Sequence, residues 1–167
     1  MTVTSVRRDP EALTMTITTA LDATVDRAWQ LWADPRQLER WWGPPTYPAT
    51  FVDHDLVPGG RVSYFMTGPE GEKSSGWWQV LTVDPPHGLS LLDGFADDSG
   101  MPNEAMPTMT MVVTLAEREG GGTVMAIETQ FPSLEAMEHL VSMGMDEGMT
   151  AAMGQIDDLL AEGANTA

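Results

Sequence analysis

The chain predicts an α+β fold in which antiparallel strands form a sheet and a long C-terminal helix covers its apolar face. Three observations carry that expectation. A short helix runs into two adjacent tryptophans and a helix-ending pair at Trp41-Trp42-Gly43-Pro44. Residues 49–131 are cut into short apolar runs by Gly, Pro and Asp, and residues 134–160 repeat apolar side chains at three- and four-residue spacing.

The elements follow in order. Residues 13–20 alternate apolar side chains with Thr, the period-2 pattern of a strand with one buried face. Asp22 or Thr24 caps a helix through Val25, Ala28, Trp29, Leu31 and Trp32. Asp34-Pro35 starts a second short helix over 35–42, with Asp34 as cap and Pro35 in the first turn. Strands then follow at 50–56, 62–67, 76–83 and 89–95, separated by Pro58-Gly59-Gly60, Gly68-Pro69-Glu70-Gly71 and Asp84-Pro85-Pro86-His87-Gly88. Residues 96–106 form a polar loop. Strands at 108–115 and 123–131 turn at Gly120-Gly121-Gly122, so the whole series reads as an antiparallel meander.

Ser133 caps the last element. Leu134, Met137, Val141, Met145, Met149, Ala152, Met153, Ile156 and Leu160 form one stripe, which predicts a single long amphipathic helix lying over the sheet. Residues 1–10 and 163–167 are expected to be loose ends.

Composition excludes several function classes. At 167 residues the chain has the size of one domain. Its formal charge of -17, from 25 acidic against 8 basic residues, disfavours nucleic acid and anionic membrane surfaces, which bind through Lys and Arg. No segment approaches the ~20 apolar residues of a membrane span. The first ten residues lack the apolar stretch of a signal peptide, so a cytoplasmic protein is expected. With no cysteine there is no disulfide, thiolate metal site or cysteine nucleophile.

Catalytic and cofactor motifs are sparse. His54, His87 and His139 form no metal-binding pair of helical spacing. His87 belongs to an exposed turn, and His139 fits either a functional place on the long helix or its outer face. Asp53 and Asp55 share one strand face and His54 the other, an arrangement that needs a pocket to become chemistry. Asp97-Asp98 lies in a loop that either gates a cavity or is simply solvated. Gly59-Gly60 and Gly120-Gly121-Gly122 are turns and lack the Lys and Ser/Thr of a phosphate loop. Neither a cofactor nor a metal is expected.

The apolar signals are stronger. Helical neighbours point about 100° apart, so of Trp41 and Trp42 one ring packs in the core and the other stands at a cavity mouth. Successive strand residues face opposite sides, so parity with Val80 puts Trp78 inside and Trp77 outside, where it marks a possible homodimer contact, as does an edge strand. Of thirteen methionines, Met109, Met111, Met137, Met143, Met145, Met149 and Met153 fall on one strand and the last helix. Flexible thioethers suit either an adaptable pocket or a loosely specified core. Gly144, Gly148 and Gly154 cost a helix about 1 kcal/mol each relative to Ala, which points to close sheet contact or to room for a ligand.

Taken in order, Leu21-Asp22-Ala23-Thr24-Val25-Asp26-Arg27-Ala28-Trp29, Trp32-Ala33-Asp34-Pro35, Leu38, Trp41-Trp42-Gly43-Pro44, Pro58-Gly59-Gly60-Arg61, Val80 and Val83-Asp84-Pro85-Pro86 resemble bacterial proteins similar to the activator of the heat-shock-protein ATPase. That family belongs to the START-like, helix-grip superfamily, with pollen-allergen-like carriers and polyketide cyclases among its relatives. The resemblance runs through about residues 13–161 of a single START-like domain spanning 1–167. It implies a curved seven-stranded antiparallel sheet wrapped around a long C-terminal helix, with two short helices after the first strand and an apolar cavity between sheet and helix. Two departures stand out: many relatives carry Pro where Thr24 to Asp26 stand, and Gly where Trp78 stands.

Together these readings predict binding or carriage of a small hydrophobic molecule, touched by Trp41, Trp42, Tyr64, Met66, Trp78, Phe95, Met111, Met145, Met149 and Met153. A cyclase- or hydrolase-type enzyme is the alternative, and it requires a His or carboxylate inside the cavity with a perturbed pKa. A chaperone-ATPase-activating interaction module is the third reading.

Overall fold

A computed structural model describes residues 2–97, 99–103 and 105–165, with side chains described over 5–97, 99–103 and 105–161. Strands β1 (Thr2–Asp9) and β2 (Thr14–Leu21) are followed by helices α1 (Val25–Ala33) and α2 (Pro35–Trp41). Strands β3 (Ala49–His54), β4 (Arg61–Thr67), β5 (Lys73–Asp84), β6 (Gly88–Ala96), β7 (Met109–Glu117) and β8 (Thr123–Gln130) come next. Helices α3 (Leu134–Ser142), α4 (Met145–Met153) and α5 (Ile156–Asn165) complete the described chain. All strands join one antiparallel sheet in the order β1-β2-β8-β7-β6-β5-β4-β3.

The sheet therefore has eight strands, not seven. The additional strand is β1, formed by residues expected to be a loose end. Its sequence has no clean apolar face, so periodicity gives no sign of it; ladder hydrogen bonds to β2 hold it in place. Turn chemistry closes the hairpin, with Asp9 Oδ1 accepting from the backbone N–H of Glu11 and Ala12 at 3.1 Å each. The opposite expected end, residues 163–167, is helical through Asn165, and residues 166–167 lie outside the described ones.

The predicted long helix is three helices. Gly144 adopts φ 86° and ψ 23°, a left-handed conformation that ends α3 and begins α4. A second interruption falls at Gly154–Gln155 before α5. The apolar stripe continues across both breaks because each segment still packs on the same core, which is why the sequence reads as one period.

The helices near the N-terminus form for local reasons. Thr24 Oγ1 accepts from Arg27 N at 3.1 Å and caps α1. Asp34 Oδ1 accepts from Arg36 N at 2.9 Å and caps α2, with Pro35 in its first turn. The chain then leaves at Gly43, where any Cβ would collide with the Tyr47 carbonyl. That tight exit brings both tryptophans against the sheet. Ser133 Oγ likewise accepts from Ala136 N at 3.0 Å and caps α3.

The core lies between the concave sheet face and the helices. Met15, Ile17 and Leu21 of β2 share one buried cluster with Met125 and Ile127 of β8 and with Leu31, Trp32 and Leu38 of the two short helices. Trp32, Trp41, Trp42 and Trp78 form an edge-to-face cluster, with centroids 4.9 Å apart for Trp32–Trp41 and for Trp42–Trp78. Burying side chains of this size stabilises by roughly 2–3 kcal/mol each. No described helix is long and apolar enough to cross a membrane.

Candidate functional site

A pocket of about 250 Å³ opens between the inner face of β4–β7 and the junction of α3 with α4. Register builds its floor. Tyr64 pairs with Gly76, Trp78 with Asp93, and Asp93 with Met109, so neighbouring strands aim these side chains to one face. Met66 and Phe95 extend that face by the two-residue repeat of β4 and β6. Trp42 and Pro44 supply a side wall from the exit of α2. Leu140, Met143, Met145 and Met149 roof the space, with Gly144 and Gly148 between them.

The break at Gly144 sets the mouth. Met143 just before it is 58% exposed, whereas Leu140 one turn earlier is buried. Gly148 has no atom within 4 Å of where a Cβ would stand. That glycine leaves open space at the pocket wall.

A smaller chamber of about 80 Å³ adjoins the first and shares Tyr64, Met66, Asp93, Phe95 and Met109 with it. Here the floor is polar. Tyr64 Oη donates to Asp93 Oδ1 at 3.3 Å. A Cβ on Gly76 would collide with the Tyr64 ring, so only glycine there lets the phenol lie across β5 toward the carboxylate.

Asp93 is 9% exposed, and burial pushes its pKa up to about 7 against the opposing pull of Tyr64 and Trp78. Tyr64 is raised well above its ordinary value, first by burial and then by the charge of Asp93. The indole N–H groups of Trp42 and Trp78 favour the charged forms of these neighbours. Neither reaches hydrogen-bond geometry, and both Nε1 atoms are buried with no partner.

The ligand-contacting residues expected from sequence divide into two groups. Trp42, Tyr64, Met66, Phe95, Met145 and Met149 line the pocket. Trp41, Trp78, Met111 and Met153 are fully buried in the core beneath it. Trp41 is anchored there by its Nε1 donating to Leu31 O at 3.0 Å. Both adjacent tryptophans are buried in the core cluster, and Trp42 also borders the pocket, so neither ring stands at a cavity mouth, contrary to expectation. Trp77 lies on the other sheet face, half-buried over Gly94, with Nε1 donating to Phe95 O at 3.0 Å.

The ionisable candidates lie elsewhere. His54 Nε2 contacts Trp32 O at 2.9 Å beside Phe51, away from the pocket. His87 and His139 are exposed. Asp53 accepts from Ser63 Oγ at 2.8 Å on the surface, and Asp55 is also exposed. Asp97 accepts from Ser99 Oγ, Ser99 N and Met101 N, which organises its loop and holds its pKa below the usual value. Asp98 lies outside the described residues. No group of three or more His, Asp or Glu side chains suited to a metal ion occurs among the described residues.

Asp93 escaped the sequence reading, although its signal was present. Leu89, Leu91, Asp93 and Phe95 share one strand parity, so a carboxylate stands where alternation requires an inward side chain. That misplaced polarity marks a buried acid.

The fold has close counterparts. Protein Ms6760 of Mycobacterium smegmatis is 52% identical over 95% of this chain and 96% of its own, with a TM-score of 0.87. A protein from Arthrobacter aurescens is 48% identical over 96% and 93%, with a TM-score of 0.92. A Rhodobacter sphaeroides protein at 23% identity, covering 95% and 97% with a TM-score of 0.81, shares the fold. No functionally curated protein matches. Residues 22–161 match the family described as Activator of Hsp90 ATPase homolog 1-like protein. The chain belongs to that family, within the START-like helix-grip superfamily.

Proposed function

We propose that this protein binds a small hydrophobic molecule in the space between the sheet and the α3–α4 junction. The observation that carries the reading is a pocket of about 250 Å³ whose walls are Trp, Phe and Met side chains around a few polar groups. Apolar walls with one localised polar region are the usual make-up of a small-molecule site. The three methionines at the roof, Met143, Met145 and Met149, suit ligands of varied shape. Contact is assigned to Trp42, Tyr64, Met66, Phe95, Met145 and Met149, with Trp78 stiffening the floor from below.

The test is native mass spectrometry of freshly purified protein together with tryptophan fluorescence titration against a panel of apolar compounds. Retained mass or saturable quenching supports the reading. A bare mass and no response in wild type overturns it.

One observation favours a second reading, acid–base catalysis of cyclase or hydrolase type. Asp93, with its pKa pushed up to about 7, satisfies the requirement for a tuned ionisable group in the pocket. Turnover of a panel of small apolar esters, changing around pH 7 and lost in Asp93→Asn, would support catalysis. Turnover equal in wild type and Asp93→Asn would remove Asp93 from that role.

A further inference from the structure

We infer that the molecule this pocket is built for is a hydrophobic amine, its protonated nitrogen paired with the Asp93 carboxylate and its apolar body held by Trp42, Phe95 and the roof methionines. The inference rests on the binding reading above and narrows it to a ligand class.

Asp93 is a buried acid with no cation of its own. Its electrostatic environment comes from burial, Tyr64 and Trp78, with no Lys, Arg or His among its influences. Tyr64 occupies Oδ1, and no other described residue makes a hydrogen bond to this carboxylate. The residue nonetheless lines both chambers, so the carboxylate has a side open to an incoming group.

A buried carboxylate without a counter-charge either takes up a proton or waits for a cation. The surrounding groups favour the second state. Tyr64 donates to the carboxylate, and the Trp78 N–H, though short of a full hydrogen bond, biases it toward the charged form. A neutral acid accepts from those donors too, but the charged carboxylate gains more from them.

The walls also suit the apolar body of an amine. Trp42 and Tyr64, packed edge to face with centroids 6.1 Å apart, both line the pocket beside Asp93. Among the described residues, no basic side chain lines either chamber to repel an ammonium group. The net charge of -17 draws cations toward the protein from solution.

Among the described residues, Tyr64 is the only other titratable group facing Asp93. The lining side chains from α2, β5, β7, α3 and α4 carry no charge, so pH acts on the pocket through Asp93 across the neutral range.

A matched pair of probes tests this, 4-phenylbutylamine against 4-phenylbutan-1-ol, measured by calorimetry and tryptophan fluorescence on the full chain. At pH 8 the amine is expected to bind about tenfold tighter than the alcohol, the factor that ~1.4 kcal/mol of ion pairing produces. Asp93→Asn should erase that preference, so that within the variant the two probes bind within about twofold of each other. In wild type, lowering the pH from 8 to 5.5 should weaken the amine and spare the alcohol, an independent measurement that stands even where the variant fails to fold.

Equal affinity for both probes, or a ratio unchanged by pH, overturns the amine assignment and leaves the hydrophobic pocket standing. Binding of neither probe, with a bare mass on native mass spectrometry, overturns both.

Discussion

Tyr64 Oη and Asp93 Oδ1 meet at 3.3 Å on the pocket floor, joining β4 to β6 across the intervening strand β5. Gly76 makes that meeting possible by leaving room for the phenol ring. The pair places a titratable group where the rest of the pocket is apolar.

Stability should therefore fall with pH in a way one substitution removes. Folded Asp93 holds its proton up to about pH 7, whereas an unfolded aspartate releases it near 3.8. Its contribution is fully present below pH 4, declines as pH rises, and is gone above the folded pKa. The difference corresponds to roughly 4 kcal/mol at most. Urea denaturation should show Asp93→Asn close to wild type at pH 4 and more stable at pH 8. Parallel pH curves for the two proteins would contradict the burial of this acid.

Two glycines four residues apart, Gly144 and Gly148, should respond oppositely to the same change. Gly148 sits in α4 with open space around its Cβ direction, so Gly148→Ala should stabilise by about 0.5–1 kcal/mol. Gly144 has φ 86°, so Gly144→Ala should destabilise by about 1–2 kcal/mol. Thermal melts of both variants check the pair. Equal shifts would mean that the helix does not break at Gly144.

Filling the pocket should separate folding from binding. Gly148→Leu directs a side chain into open space without meeting described atoms near its Cβ. The variant is expected to melt at or above the wild-type temperature and to lose at least about tenfold in affinity for any apolar probe. Unchanged affinity would show that the probe binds elsewhere.

Gln155 ties the C-terminal helices to the tryptophan turn. Its Nε2 donates to Gly43 O at 2.6 Å, across the second helix break. Gln155→Ala leaves that buried carbonyl without this donor and should cost about 1–3 kcal/mol, read as a lower urea midpoint. A change under about 0.3 kcal/mol would show that water replaces the amide without penalty.

Much of the fold was legible because it is written in short-range chemistry. The alternation of Thr with apolar residues in β2, the Asp34-Pro35 helix start and the Gly-Pro turns each act within a few residues. Strand β1 was illegible because its stability comes from pairing with β2, a contact its own polar pattern does not announce. The breaks at Gly144 and Gly154 were hidden for a related reason. An apolar stripe reports which side faces the core, and that side stays the same when the helix axis changes direction.

The sequence by itself determined the strand series from β2 to β8, the two capped helices and the inward parity of Trp78. Those features depend on local geometry and on the period of each element. Only the tertiary structure decided that Trp41, Trp78, Met111 and Met153 pack beneath the pocket, and that Asp93 lies with Tyr64 at its floor. Burial depends on which strands become neighbours and on where the covering helix breaks, and those long-range choices set the environment that tunes a carboxylate.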